Sequence, residues 1–523
     1  MSAELALLDA KVLTMNPSQP RAQAVAVRNS KILKVGANNE ITEFIGENTK
    51  VIRLKGKTVL PGFIDTHIHV ADFGRFLLWM DLSEARSTEE MRRQLGERLQ
   101  ETPKGKWVVG RGWNENRFAE KRLPTRFDLD AVAPNNPVLF YHQNGQVAVA
   151  NSKALELSGI DKQMAAPPGG AIDRNAGTGE ATGILRETAT DLVWKLVPEP
   201  TDEEIADAAS LGVERIVEAG LTSVHWIATS KVDLTVLQKL LASGGLPLRI
   251  YMIVPVNLLD HLTSQQGRSS YEVGTVRIGG VEVYADGFLS SKTAALLEPY
   301  SDDQTQAPML CTREDIAALT VKALEGEFQP VIHAMGDKAI DAALAAIKQA
   351  AAHATAKGIR TRIDEAAVMS QTLVKRVKQQ AVVVSVQPCV MASEFSVYSA
   401  MARLGPERAR WLYPLKTLFR EGVRVCGGSD CPMEPLNPLL GIQAAVSRQF
   451  FHEEELTVDE ALRMYTVNAA YASCEEKLKG SIEEGKLADL TVLSKDPHEV
   501  PRDEISGIAV EMTLTAGKIV YSR

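Results

Sequence analysis

Cysteine is scarce in this chain, with five among 523 residues. Cys311, Cys389, Cys426, Cys431 and Cys474 are odd in number and form no Cys-x-x-Cys pair. That pattern argues against a disulfide framework and against a thiolate zinc site. No stretch approaches the roughly 20 apolar residues that a membrane helix needs. The opening Met1-Ser-Ala-Glu-Leu-Ala-Leu-Leu-Asp9 lacks the basic start, the apolar core and the cleavage site of a secretory signal. The expectation is a cytoplasmic protein with no membrane partner. A basic excess is missing too: 58 Lys and Arg stand against 66 Asp and Glu, a net charge of −8. Nucleic acid is therefore not an expected partner. No internal repeat is visible beyond an alternation of strands and helices.

The chain does contain a soluble globular composition, 45% hydrophobic and 24% charged, at a length that exceeds one ordinary core. Short β-like runs occupy both ends: Leu5–Leu13, Ala22–Arg28, Lys31–Val35 and Lys50–Leu54, then Leu490–Leu493, Gly507–Leu514 and Lys518–Tyr521. Residues 1–58 and 481–523 can thus pair into one small β-sandwich, since domain termini often lie close together. Between them, 59–480 alternates strands with helices. The strands are Val59–Asp65, Leu221–Ile227, Leu248–Val254, Val276–Ala285, Gln329–His333, Arg360–Asp364, Val382–Gln387 and Val423–Gly427. Helical stretches include Asp202–Ala219, Arg313–Glu325, Asp337–Lys357, Ser370–Gln379 and Trp411–Glu421. Eight strands with helical crossovers predict an α/β fold, a (β/α)₈ TIM-type barrel. The gap from about 75 to 220 is too long for a βα loop and predicts an inserted subdomain over the C-terminal face.

Chemistry in such a barrel gathers at the C-terminal strand ends. His67-Ile-His69 ends the first strand, and side chains two apart on a strand share a face, so both imidazoles can meet one ion. Reading the other ends adds His225, Glu282 or Asp286, His333, Asp364 or Glu365, and Asp430. Four of nine histidines fall at strand ends, which chance placement would not give. Asp430 follows a buried strand on a glycine-loosened turn, either as a turn aspartate or as a carboxylate that touches the metal and takes a proton from its water.

These runs together resemble the amidohydrolase superfamily, and within it the amidohydrolase-3 group with its N-substituted formamide deformylase-like enzymes. The matching segments cover nearly the whole chain. They include Leu60-Pro-Gly-Phe-Ile-Asp-Thr-His-Ile-His69, Asn151-Ser-Lys-Ala-Leu155, Pro167-Pro-Gly-Gly170 and Gly183-Ile-Leu-Arg-Glu-Thr-Ala189. Asp286-Gly287, Thr293-Ala-Ala-Leu296 and His333-Ala-Met-Gly-Asp-Lys-Ala-Ile-Asp341 continue the match. Gly428-Ser-Asp-Cys-Pro-Met-Glu-Pro-Leu-Asn-Pro438 and Gly485-Lys-Leu-Ala-Asp-Leu-Thr-Val-Leu493 complete it. The resemblance implies a metal-dependent hydrolase, with His67 and His69 on the first metal, His333 at strand five, and Asp430 as ligand and general base.

The chain departs from that pattern in places. Glu282 stands where a lysine that can be carboxylated is usual, and as a carboxylate it can bridge metals itself. Arg362-Ile-Asp-Glu-Ala366 replaces Arg-Ile-Glu-His-Ala, so Glu365 takes the place of a histidine. Either Glu365 is a ligand, in a set that suits Mn2+ or Fe2+ as well as Zn2+, or it binds nothing and the site holds one metal. Asn144-Gly145-Gln146, with His142 just ahead, stands where Asp-Gly-His is frequent, and His225-Trp226 where His-Asp is. His142, Gln146 and Trp113 are therefore the candidate substrate contacts; Asn114, Phe118 and Phe140 can line the same wall or pack as the insert's own core. The expected reaction is hydrolysis of a non-peptide C–N bond in a small-molecule amide or formamide, with His225 helping to hold oxyanion charge. The alternatives are a single-metal deaminase or cyclic-amide hydrolase of the same fold, and a non-catalytic metal-binding paralogue. A homo-oligomer stays open, and His261, His353, His452 and His498 are given no role.

Overall fold

The computed structural model describes residues 2–143, 146–243, 246–260, 262, 271–396 and 398–523, so Asn144, Gly145 and His261 lie outside the described residues. The chain forms two compact units: residues up to Phe73 together with Ser210–Arg523, and Gly74–Ala209.

The first unit holds eight parallel strands in chain order: Phe63–Ile68, Leu221–Ile227, Arg249–Pro255, Val276–Tyr284, Gln329–Ala334, Arg362–Glu365, Val383–Val386 and Val425–Gly427. Each pairs with the next in parallel, with register shifts between strands one and two and between strands three and four. The strands are almost wholly buried, as expected when a parallel sheet is covered on both faces. Among the described residues, no ladder joins strand eight to strand one. The seam closes just above, by a parallel bridge between Ile68 and Cys431. Two backbone bonds flank it, His69 N–H to the Cys431 carbonyl at 2.9 Å and Asp430 N–H to the His67 carbonyl at 2.8 Å. This is the (β/α)₈ architecture read from the sequence.

The first strand differs from its expected bounds. Thr58–Pro61 is a separate strand, paired with Leu490–Leu493 and Lys11–Leu13. Proline cannot donate to a ladder, so the run breaks at Pro61-Gly62 and restarts as the barrel strand at Phe63. Strands from both termini interleave in a six-stranded sheet: Lys518–Ser522, Val510–Thr515, Leu490–Leu493, Thr58–Pro61, Lys11–Leu13, Arg21–Ala22. A four-stranded sheet, Lys31–Gly36, Ala24–Arg28, Leu5–Leu8 and Lys50–Arg53, shares an apolar core with it. The expected single run Leu5–Leu13 is two strands because Asp9, at φ 57°, turns the chain from one sheet to the other. The expected helix Trp411–Glu421 shortens to Leu415–Arg420, since Tyr413 is left-handed and Pro414 can only begin a helix.

The second unit is a six-stranded sheet in the order Gly170–Arg174, Ala181–Glu187, Val147–Ala150, Val138–His142, Val108–Trp113, Met80–Asp81, with helix Thr88–Glu101 and two apolar cores of its own. Asn151 fastens it from within. Its carboxamide accepts from Val138 N–H and Ala154 N–H and donates to the Ala133 and Asn136 carbonyls. Among the described residues, no helix is long and apolar enough to cross a membrane.

Candidate metal centre at the barrel mouth

His67 ends the first barrel strand and His69 lies just past it, while Asp430 follows strand eight. One ligand atom from each of these three residues lies within 4.8 Å of the others. Their tautomers follow from their partners. His67 Nδ1 lies 2.8 Å from a carboxylate oxygen of Asp364, and His69 Nδ1 lies 3.1 Å from the Ile227 carbonyl. Both partners accept, so each Nδ1 carries the hydrogen and each Nε2 keeps a lone pair. The two Nε2 atoms face Asp430 Oδ1, at 3.7 Å from His67 and 3.3 Å from His69. Three electron pairs pointed at one another repel unless a positive charge stands among them. A proton can supply it: burial disfavours the His67 cation, yet the hydrogen bond and charge of Asp364, with Asp430 and Glu365, raise its pKa to about 10. A divalent cation supplies it better, and this donor set fits one.

The backbone under these groups is held from both sides of the seam. Asp65, itself buried, accepts from His67 N–H and Ser429 N–H, both at 3.0 Å, and so ties strand one to the turn that carries Asp430. Gly428 permits the approach, since a Cβ there would meet His67 N at 2.6 Å and His67 Cβ at 2.7 Å. Asp430 has φ 61° and Glu365 φ 70°, a region that side-chain-bearing residues seldom occupy.

A cavity of about 210 Å³ opens over the centre, and its wall includes His67, His69, His333, Glu365 and Asp430. His333 is buried, stacks on Tyr284 at 4.6 Å between ring centres and meets the edge of Phe288 at 5.0 Å. Burial lowers its pKa to about 4, so its imidazole is neutral near pH 7. Glu365 is buried, accepts from the Tyr413 hydroxyl at 3.0 Å and has a pKa raised to about 8 by burial and then by Asp430. Glu282 is not in the cavity wall. It is buried on strand four with Oε1 lacking a hydrogen-bond partner among the described residues, and burial pushes its pKa up to about 7. An uncompensated buried carboxylate oxygen is costly, which again suits a cation nearby.

His225, the other expected catalytic residue, is not in that wall either and is wholly buried. It lies two residues before Ile227, whose carbonyl meets His69, and its Nδ1 is 2.9 Å from Arg362 Nη1. A guanidinium only donates, so His225 Nδ1 accepts; burial and then Arg362 keep the imidazole uncharged, its pKa well below the ordinary value. Asp286, the other strand-four candidate, is scaffold. It accepts from the backbone N–H groups of Ala295, Met335 and Gly336, tying the loop after strand four to the strand end that carries His333.

The three expected substrate contacts belong to the second unit. Trp113 is fully buried in that unit's core with its indole N–H on the Phe140 carbonyl, so it is a packing residue rather than a pocket wall. Phe118 and Phe140 are core with it. His142 meets the edge of Trp113 at 4.7 Å and lies 3.1 Å from Glu115. Gln146 is exposed, and its carbonyl accepts from Glu187 N–H. Sequence reasoning passed over Arg362 and Tyr413. Arg362 carried a usable signal: an arginine two residues from an aspartate in an otherwise buried strand puts opposite charges on one face. Tyr413 carried none, since its contact with Glu365 spans 48 positions.

Comparisons with known proteins agree with this architecture. The model of the amidohydrolase family known as Amidohydro_3 matches residues 50–521. YtcJ of Bacillus subtilis (strain 168), an amidohydrolase by name, is 33% identical over 528 residues, covering 98% of either chain. The N-substituted formamide deformylase of Arthrobacter pascens is 28% identical, covering 99% of this chain and 98% of its own. Among solved structures, an uncharacterized metal-dependent hydrolase from Pyrococcus furiosus is 29% identical and superposes with a TM-score of 0.74, covering 94% of this chain and 99% of its own. The chain belongs to the amidohydrolase family.

Proposed function

We propose that this protein is a metal-dependent hydrolase that cleaves a non-peptide C–N bond, of the amide or formamide kind, in a small molecule. The observation that carries the proposal is the convergence of His67, His69 and Asp430 within 4.8 Å under a cavity at the barrel mouth. The deformylase relative, similar over almost its full length, supports the choice of bond. His67 and His69 would hold the ion with Asp430, and Glu282, His333 and Glu365 are further candidate donors; zinc is the first metal to try. Such an ion lowers the pKa of its water toward neutrality and polarises a carbonyl. The protein's own part falls to Asp430, whose carboxylate takes the proton of the attacking water and passes it to the leaving nitrogen. Its backbone N–H is bonded to the His67 carbonyl, which fixes the carboxylate against the two imidazoles. His333, neutral, stacked on Tyr284 and edge-on to Phe288, offers a fixed polar edge to the substrate where it is not a metal ligand.

The test is metal analysis of the purified, reconstituted protein, joined to a screen of N-formyl and N-acyl amines for released amine. Bound divalent metal with turnover of a formamide or amide is expected; no bound divalent metal overturns the proposal. Asp430→Asn should keep metal and lose at least about a hundredfold in kcat, and undiminished turnover removes Asp430 from its role.

One observation favours a second reading, deamination at a ring carbon by a single ion. Among the described residues, Glu282, His333 and Glu365 stand outside the group whose donors converge within 4.8 Å. Two ions per chain would decide against it. A fully metal-loaded protein that turns over neither amides nor aminated rings returns the non-catalytic reading.

A further inference from the structure

Beneath the candidate metal centre runs a chain of buried polar groups for which the proposed chemistry has no direct use. His67 Nδ1 lies 2.8 Å from Asp364 Oδ2. Arg362 grips the same carboxylate with two prongs, Nε on Oδ1 at 2.5 Å and Nη2 on Oδ2 at 2.6 Å. Of its other three N–H groups, two reach the Thr66 carbonyl at 2.6 Å and His225 Nδ1 at 2.9 Å. Arg362, Asp364 and His225 are wholly buried and His67 nearly so. They come from strands one, two and six and meet across the barrel interior.

A buried ion pair is seldom kept for stability alone, because desolvation offsets most of the attraction. Here the arrangement has a chemical output. An isolated buried carboxylate against an imidazole would tend to take up a proton or to draw one from the ring. The guanidinium cancels the charge of Asp364 and keeps the carboxylate a pure acceptor. The carboxylate in turn keeps the hydrogen of His67 on Nδ1 and aims the Nε2 lone pair at Asp430. His225, as acceptor, holds one Nη1 hydrogen from the far side and so resists Arg362 turning away. The three groups together orient the His67 ring, and the Arg362–Asp364 pair adds no net charge to the site.

We propose that Asp364, fixed by Arg362 and His225, is the positioning carboxylate that sets the affinity of His67 for a divalent cation. This rests on the metal-site reading above. Removing the outer partner of a metal-binding histidine typically costs about 10–100-fold in metal affinity.

The test measures zinc affinity of the full chain, stripped and then titrated with zinc against a chromogenic chelator, with circular dichroism as the check on folding. Asp364→Asn should bind zinc about 10–100-fold more weakly than the parent. In a His67→Ala background the same substitution should change zinc affinity less than about twofold, because the group it acts through is gone; a loss from general loosening would persist there. Arg362→Lys, which keeps the cation but not the two-pronged grip, should weaken zinc in the same background-dependent way, and it serves alone if Asp364→Asn does not fold. Parent-like affinity in these variants, or an equal loss in both backgrounds, overturns the proposal while leaving the metal site standing. A parent protein that binds no zinc overturns both.

Discussion

At the scale of single residues, burial separates the chemical groups from those with another reason to be inside. Glu394, on the helix Pro388–Ser396 after strand seven, is buried with Oε2 lacking a hydrogen-bond partner among the described residues. Burial raises its pKa from 4.5 to about 7, against the pull of Arg403. The unfolded chain therefore gives up this proton at lower pH than the folded one. The stabilisation from the protonated form is complete below about pH 4.5 and disappears as the pH climbs through 7. Urea titrations at pH 5 and pH 8 should show the parent losing more stability over that interval than Glu394→Gln, by up to about 3 kcal/mol. Parallel losses would mean that Glu394 ionises freely. The residue scale is also where the sequence misled. Trp113 reads equally well as pocket wall or core, and nothing local decides; its role follows from Phe140, 27 positions away, whose carbonyl takes the indole hydrogen. His225 sits at a strand like His67 and His69, yet its partner Arg362 is 137 positions distant.

Among the elements, the seam between strands one and eight decides whether the centre exists. Gly428 lets the two strands touch, and the backbone of His67 cannot retreat from an added methyl because Asp65 and Asp430 hold it. Gly428→Ala should part the strands and weaken zinc binding by tenfold or more, about 1.4 kcal/mol or above, in the chelator competition used for Asp364; parent-like affinity would show that the seam has slack. Seven of the eight barrel strands were legible from buried apolar runs with helices between them. The first was legible in existence and misplaced in bounds, because Val59–Asp65 looks like one apolar run and only its partners in two different sheets reveal the break at Pro61-Gly62. Asn151-Ser-Lys-Ala-Leu, one of the runs that carries the family resemblance, proves to be a buried helix cap with four backbone partners.

For the molecule as a whole, the three converging candidate ligands His67, His69 and Asp430 come from both sides of a barrel junction that, among the described residues, lacks a ladder. A cation held by His67, His69 and Asp430 would clasp strand one to the turn after strand eight. Zinc at about 100 times its dissociation constant should raise the unfolding free energy by about 2.7 kcal/mol, read from urea curves with and without chelator. In His67→Ala that gain should largely vanish; an undiminished gain would mean that zinc binds elsewhere. The barrel could be anticipated from the alternation of strands and helices, its interrupted first connection from the length of the gap, and the pairing of the two ends from the short β-like runs at both termini. The wiring beneath the centre could not, since it joins positions 67, 225, 362 and 364 through side chains alone.

Asp430 and Glu365 share their left-handed backbone with Tyr413, at φ 48°, whose hydroxyl bonds to Glu365. Each such residue holds about 1–3 kcal/mol that an ordinary loop would not carry. Glycine or asparagine at 365, 413 and 430 would relieve it. Variants ranked by heat resistance would gather those replacements, whereas under the proposed mechanism a ranking by turnover would reject the one at 430. At these three positions the fold carries a carboxylate or a phenol on backbone that glycine would occupy more cheaply.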